Sequence, residues 1–525
     1  MRSYSGVFVR KRADEGTAGR FRGNIVLRGF RWAVVPAFSL LILFVGAGCS
    51  RQSFETWDSV DVFSHYLDGR IPRLMKQYGV PGVSVALVRG GEVVWSSAYG
   101  YADLEHNRKM TVDSIYRVES ISKSVTAWGV IRLVEQGRVD LDAPVQQYLG
   151  NWKPPESGYS WQKVTVRRLL SHNAGMPLGT IGMEYSPQSD MPSLRETLLH
   201  EAQLIREPGS GFLYSNTGFN LLELLIEEVT GRDFAEYMTD EVLTPLGMTH
   251  SGFSWNDALF PAIPTGYDLQ GAPVPMYVYP AKASGGLFAP VEDIARFVAA
   301  GMTGSYYSDH AVLGRKGIRK LHTPQVDIPG IFGFVADSYG FGHFIENLPD
   351  GRRAVWHGGQ GHGWMAHFHA VPESGDGIVI LTNSQHSWPL MAQVLNDWAR
   401  WSGFDSVKMG RITYAIIALR VLIGMLVLIS LWQLIRLVQG LRNGSRRLAP
   451  LSGDFRKVRL LQVALGIGVI LALVWSVTQP YLVVSSIFPG TANWAGISFF
   501  VLAVIMILSA LFPPVEERIK QNGYQ

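Results

Sequence analysis

Four apolar runs decide where this 525-residue chain can fold in water and where it cannot. They occupy residues 32–48, 414–434, 460–477 and 494–512. A helix needs about 20 apolar residues to cross a ~30 Å hydrocarbon core, and the last three runs are close to that length. They predict a transmembrane region of three helices within 411–525. What remains is a signal or anchor segment, 1–50, and a folded domain, 51–410.

Charge divides the chain in the same places. Residues 1–31 carry a net +6 and 411–525 a net +8, against +4 for the whole chain, so 32–410 carries −10. The basic residues border apolar runs instead of forming a face, which removes the support for a nucleic-acid partner. Between the first two C-terminal runs lie Arg442, Arg446, Arg447, Arg456, Lys457 and Arg459, whereas 478–493 holds no Lys or Arg. The positive-inside rule puts 439–459 in the cytoplasm, and 478–493 and 51–410 outside. The expected location is the bacterial cytoplasmic membrane, with the large domain on the extracytoplasmic (periplasmic or extracellular) side. Arg420, inside the first run, is expected to snorkel toward the outer interface.

The single cysteine, Cys49, excludes an intrachain disulfide. It closes Val45-Gly-Ala-Gly-Cys49, after 17 uncharged residues preceded by Arg20, Arg22, Arg28 and Arg31. The pattern is similar to a bacterial lipoprotein signal peptide with Cys49 as the lipidated residue, although Gly46 stands where a larger aliphatic is preferred. The other reading is an uncleaved signal anchor with an unmodified cysteine. Either one exports the chain beyond residue 50.

Inside 51–410, residues 80–99 predict a β-hairpin turning at Gly90-Gly91, and 364–371 with 377–382 predict a second. A strand is expected at 114–118 and another at 353–356, ended by His357. Helical periodicity covers 125–136, 194–204, 221–230, 291–300 and 389–401. Strands at both ends with helices between imply an α+β fold: an antiparallel sheet flanked by helices, with an all-α lobe inserted. The Gly-, Pro- and Met-rich stretch 176–192 is expected to border a cleft.

Three short boxes carry the chemistry. In Ser120-Ile-Ser-Lys123 the serine and lysine share one helix face, at a helix start where the dipole favours an oxyanion. A partly desolvated lysine can then take the serine proton. Tyr214-Ser-Asn216 follows the turn Pro208-Gly-Ser-Gly211; a tyrosine near a lysine would be held partly ionised and relay protons. Asn216 offers a donor and an acceptor to a substrate amide. In His357-Gly-Gly359 the glycines let the backbone approach a ligand, and the histidine would donate to the acyl intermediate or a carboxylate. His357, His362, His367 and His369 crowd into thirteen residues, but no carboxylate or cysteine joins them at ligand spacing, so no metal is expected.

Together these boxes resemble the serine β-lactamase-related superfamily of penicillin-recognising hydrolases. The match is to its class C-like branch of β-lactamases, D-Ala-D-Ala carboxypeptidases, D-aminopeptidases and family esterases. Connecting text supports it over 71–383: Val134-Glu-Gln-Gly-Arg-Val-Asp-Leu-Asp-Ala-Pro144, Leu169-Leu-Ser-His-Asn-Ala-Gly175, Pro245-Leu-Gly-Met-Thr249 and Ser284-Gly-Gly-Leu287. The resemblance implies Ser120 as nucleophile, Lys123 as activating base, Tyr214 as general base and acid, and Asn216 as a substrate contact. It implies backbone N–H groups of Ser120 and Gln360 as oxyanion donors, beside Gly359. His357 takes the place of the lysine in the K-T-G box, which disfavours a dedicated β-lactamase. The expected activity is a membrane-anchored hydrolase acting through an acyl-enzyme on a small-molecule or peptide ester or amide, peptidoglycan-derived peptides included, without a cofactor. The alternative is a receptor module that binds cell-wall fragments or β-lactams with little turnover.

Overall fold

Both predicted hairpins form, and they join at the centre of one sheet in a computed structural model that describes residues 59–179, 184–255, 263–302, 312–449, 456–479 and 483–515. The N-terminal run, with Cys49, lies outside the described residues, as do 180–183 of the expected cleft loop. β1 (Gly82–Arg89) turns through Gly90 and Gly91, at φ 62° and 81°, into β2 (Glu92–Asp103), followed by β3 (Arg108–Lys109). β4 (Tyr116–Arg117) later pairs with β7 (Phe288–Ala289), and β5 (Gly266–Tyr267) pairs with β6 (Pro273–Val274). β8 (Val326–Asp327), β9 (Ser338–Tyr339), β10 (Phe344–Asn347), β11 (Arg353–Gln360), β12 (Met365–Val371) and β13 (Asp376–Thr382) complete the main sheet. Its order is β3-β2-β1-β13-β12-β11-β10-β9-β8, antiparallel throughout.

β1, β12 and β13 are apolar almost without a break because both faces of the sheet are covered. Val85, Leu87, Ile378 and Ile380 meet α1 (Val60–Tyr78) on one face. Ala86, Val88, Val379 and Leu381 share the other core with the helical lobe. That lobe holds α2 (Ile121–Glu135), α3 (Leu194–Glu201) and α4 (Asn216–Thr230), with α5 (Val291–Ala300) against the sheet. α6 (Trp388–Trp401) returns to the α1 side and stacks Trp401 on Phe63 at 4.5 Å.

Three differences from the sequence reading bear on the site. The strand expected at 114–118 is only the two-residue β4. β11 runs on to Gln360, so His357 lies within a strand and not at its end. The helix α1 has no counterpart in the sequence reading; Ser59 caps it and Gly79, at φ 68°, closes it.

After α6 come α7 (Arg411–Arg442), α8 (Arg456–Thr478), the single-turn α9 (Val483–Ile487) and α10 (Thr491–Leu511). Three of these helices are long and apolar enough to cross a membrane, with mean hydropathies of 2.5, 2.4 and 2.4. α10 packs against both α7 and α8.

Candidate active site

Glu119 sets up the turn into α2. It is a non-glycine residue at φ 50°, a conformation that persists only when its surroundings hold it. Its buried carboxylate supplies that hold: Oε1 accepts from Arg117 Nε at 2.9 Å and the Tyr277 hydroxyl at 3.1 Å, and Oε2 from the Tyr279 hydroxyl at 3.1 Å. The Arg117 guanidinium lies 4.1 Å from the Tyr277 ring centre and donates to the Tyr277 carbonyl at 2.5 Å.

Ser120 follows at the head of α2, half-buried, and its hydroxyl makes no capping bond to the helix. It is held instead by Lys123, whose Nζ donates to Ser120 Oγ at 3.0 Å and to the Ser284 carbonyl at 2.7 Å. Lys123 is fully buried. Burial pulls its ammonium down from 10.5 to about 7, against the opposing charge of Glu119. The Ser284 loop is pinned in turn. Glu223 of α4 accepts from the Lys282 and Ala283 N–H groups at 2.6 and 2.7 Å, and Thr126 Oγ1 donates to the Ala283 carbonyl at 3.0 Å.

Tyr214 sits just before α4, which Ser215 caps by accepting from Gly218 N–H at 2.9 Å. Its phenol lies beside the Ser120 hydroxyl, which opposes the effect of burial on it, and its ring centre is 5.0 Å from Lys123 Nζ. Burial raises the phenol above its ordinary value, so it carries its proton. This differs from the partly ionised tyrosine expected from sequence: desolvation outweighs the opposing effect of the Ser120 hydroxyl. Asn216 is the first residue of α4, half-buried, with its N–H donated to the Leu178 carbonyl at 2.9 Å.

His357 is also corrected. Its ring is buried and burial holds it well below the ordinary imidazole range, so it is neutral. Nδ1 lies 2.9 Å from the Gly358 carbonyl and must donate there; Nε2 then accepts from the Tyr339 hydroxyl at 3.1 Å. Both nitrogens are used, leaving no donor for a substrate carboxylate. Gly359 is needed for close approach, since a Cβ there would lie 2.1 Å from the Val118 carbonyl oxygen. Gly361 is constrained likewise, its Cβ falling 2.4 Å from the Glu119 carboxylate. β10 pairs with β11 no further than Phe344↔Trp356, so His357–Gln360 keep an open edge on that side among the described residues. The Gln360 side chain faces away from Ser120: Oε1 accepts from Trp388 Nε1 at 3.1 Å and Nε2 donates to Ser486.

The four crowded histidines do not converge. His357 pairs across from Phe368 and faces the helical lobe. His367 and His369 face the opposite core beside Trp356, Trp388 and Trp398. His362 stands exposed 3.2 Å from Glu184.

The structure thus brings Ser120, Lys123, Tyr214, His357 and Gly359 together. It adds Glu119, His172, Glu223, Ser284 and Tyr339, to which the sequence reading gave no role. His172, at φ 54°, accepts the Ser215 N–H at Nδ1 (3.2 Å), and its ring centre lies 4.3 Å from that of Tyr214.

Known proteins bear on this arrangement. The family model described as Beta-lactamase matches residues 67–396. The chain is 26% identical over 468 residues to Protein flp of Staphylococcus aureus, covering 85% of this chain and 88% of that one. Among solved structures, the octameric penicillin-binding protein homologue from Pyrococcus abyssi superposes with TM-score 0.53 at 29% identity, over 63% of this chain and 77% of that one. A class C β-lactamase mutant shares the fold, with TM-score 0.53 at 20% identity, over 62% and 94%.

Proposed function

Because the chain belongs to the Beta-lactamase family, we propose that it is a membrane-anchored serine hydrolase that works outside the cytoplasmic membrane through an acyl-enzyme on Ser120. The observation that carries this reading is the Lys123 amine, buried, 3.0 Å from Ser120 Oγ and pulled down to about 7. Near neutral pH much of it is the free amine, with a lone pair to accept the serine proton.

Lys123 takes the proton as Ser120 Oγ attacks the substrate carbonyl. The resulting oxyanion is held by the backbone N–H groups of Ser120 and Gln360. Tyr214, protonated and beside Ser120, gives its proton to the leaving alcohol or amine and recovers one from Lys123. Water then attacks the acyl-enzyme by the reverse relay. Asn216, half-buried at the start of α4, contacts the amide or ester.

His357 shapes the substrate choice. A neutral ring with both nitrogens engaged puts no positive charge where the family's K-T-G lysine would meet a carboxylate. Uncharged esters or amides are therefore favoured over β-lactams. The test is turnover by the purified full chain of aryl esters, D-Ala peptides and a chromogenic cephalosporin. Aryl-ester hydrolysis that exceeds turnover of both carboxylate substrates and disappears in Ser120→Ala supports the reading; a cephalosporin or D-Ala peptide as the best substrate, or turnover retained in Ser120→Ala, contradicts it.

One observation favours the receptor alternative: the Gln360–Ser486 bond links the site to the segment between α8 and α10. Tight ligand binding by the wild-type chain with no turnover of any of these substrates would decide for it.

A further inference from the structure

Two contacts tie the wall of the Ser120 site to the helices that are apolar enough to cross a membrane. The first leads into α7. Lys408 donates its N–H to Glu346 of β10 at 3.0 Å and its ammonium to Asp337. Arg411, the first residue of α7, donates from Nη1 to the Phe334 carbonyl at 3.2 Å, with its guanidinium 5.9 Å from that ring centre. Phe334 ends the single turn Gly330–Phe334, which leaves Phe332 43% and Phe334 44% exposed.

The same turn reaches the catalytic tyrosine through a run of rings. Phe332 lies 6.2 Å from Phe212, Phe212 6.3 Å from Phe344, and Phe344 stacks on Tyr214 at 6.3 Å. The second contact comes from α9, where Ser486 accepts from Gln360 and where Ile487 and the following Phe488 pack on the core beneath β11.

Two phenyl rings left in water beside the first residue of a spanning helix are costly for a soluble face. At the boundary of a bilayer such rings are buried among the upper acyl segments, and their depth is fixed by the helix they adjoin. We propose that the Gly330–Phe334 turn and α9 seat the mouth of the Ser120 site on the outer surface of the bilayer. The substrate is then an ester or amide with a long acyl chain that stays in the outer leaflet while its carbonyl reaches Ser120. The substrate half rests on the acyl-enzyme reading; the seating does not.

The test uses the full chain in phosphatidylglycerol–phosphatidylcholine liposomes. A spin label on Phe334→Cys in a Cys49→Ser background reports depth from its collisions with oxygen and with a water-soluble nickel chelate. Oxygen collisions that dominate at 334, but not at a label on the exposed Leu104→Cys, place the turn in the interface. Nickel collisions equal at the two sites overturn the seating. In a second arm the rates for twelve-carbon and two-carbon p-nitrophenyl esters are compared as a ratio. The wild-type ratio is expected to exceed that of Phe332→Ser/Phe334→Ser by about tenfold, the scale of a few buried methylenes. An equal ratio overturns the substrate class. Absence of any Ser120-dependent ester turnover refutes the acyl-enzyme reading and the substrate class with it, and the spin label alone then decides the seating.

Discussion

The 3.0 Å bond between Lys123 Nζ and Ser120 Oγ gains its chemistry from burial of the amine. Acylation should need the free amine, so the rate is expected to be lost as pH falls through about 7, in a kcat/KM profile on an aryl ester. Stability has the same sign. The folded-state amine titrates near 7 and the unfolded one near 10.5, so the native state binds fewer protons between those values and stability rises with pH across them. Lys123→Met should flatten that slope in urea titrations and cost roughly 10²- to 10⁴-fold in acylation, the range for a lost proton-transfer group. His357 offers a second test. Tyr339→Phe strands His357 Nε2 in a buried site and should lower unfolding stability by about 1–3 kcal/mol. Sequence spacing was enough to bring Ser120, Lys123, Tyr214 and His357 to one place. It could not show that His357 has no free donor, because that depends on a hydroxyl from another strand, 18 residues away. Nor could it show that Tyr214 stays protonated, which is a matter of burial.

At the scale of elements, the loop Ser284–Leu287 acts as a clamp on α2. Glu223 fixes its start, Ser284 takes the Lys123 ammonium, and Ser122 Oγ accepts from Leu287 N–H at 3.0 Å. Burial pushes the Glu223 carboxyl up to about 8, although the Ala283 and Lys282 N–H groups favour its ionised form. Glu223→Leu removes both acceptor bonds and should lower kcat more than KM, with the pH limb displaced upward as Lys123 regains water. A kcat and limb unchanged by that variant would contradict the clamp. The hairpins β1–β2 and β12–β13 were legible because their apolar residues and turn glycines are local signals. β8 and β9, two residues each, are too short to carry any period, and their pairing is set by the chain around them. α1 was missed although Phe63, Leu67, Ile71 and Leu74 repeat at helical spacing, since Pro72 and its charged residues interrupt the apolar signal.

For the whole molecule, the apolar runs at 414–434, 460–477 and 494–512 appear in the fold as longer helices, the first reaching 32 residues. The short helix α9 between the second and third went unread because its role is tertiary: it packs under β11. The proposed orientation puts α9 outside and the basic loop after Arg442 inside. Alkaline phosphatase fused after Phe404 or Phe488 should be active in cells, and inactive when fused after Gly444; the reverse pattern would invert the orientation. The hydrolase mechanism and the substrate class both depend on Ser120 becoming acylated. The most direct measurement is peptide mapping by mass spectrometry after the full chain meets a fluorophosphonate. One adduct is expected, on the peptide holding Ser120, abolished by Ser120→Ala and slowed by Lys123→Met. An adduct on another residue, or equal labelling of Ser120→Ala, would contradict that mechanism.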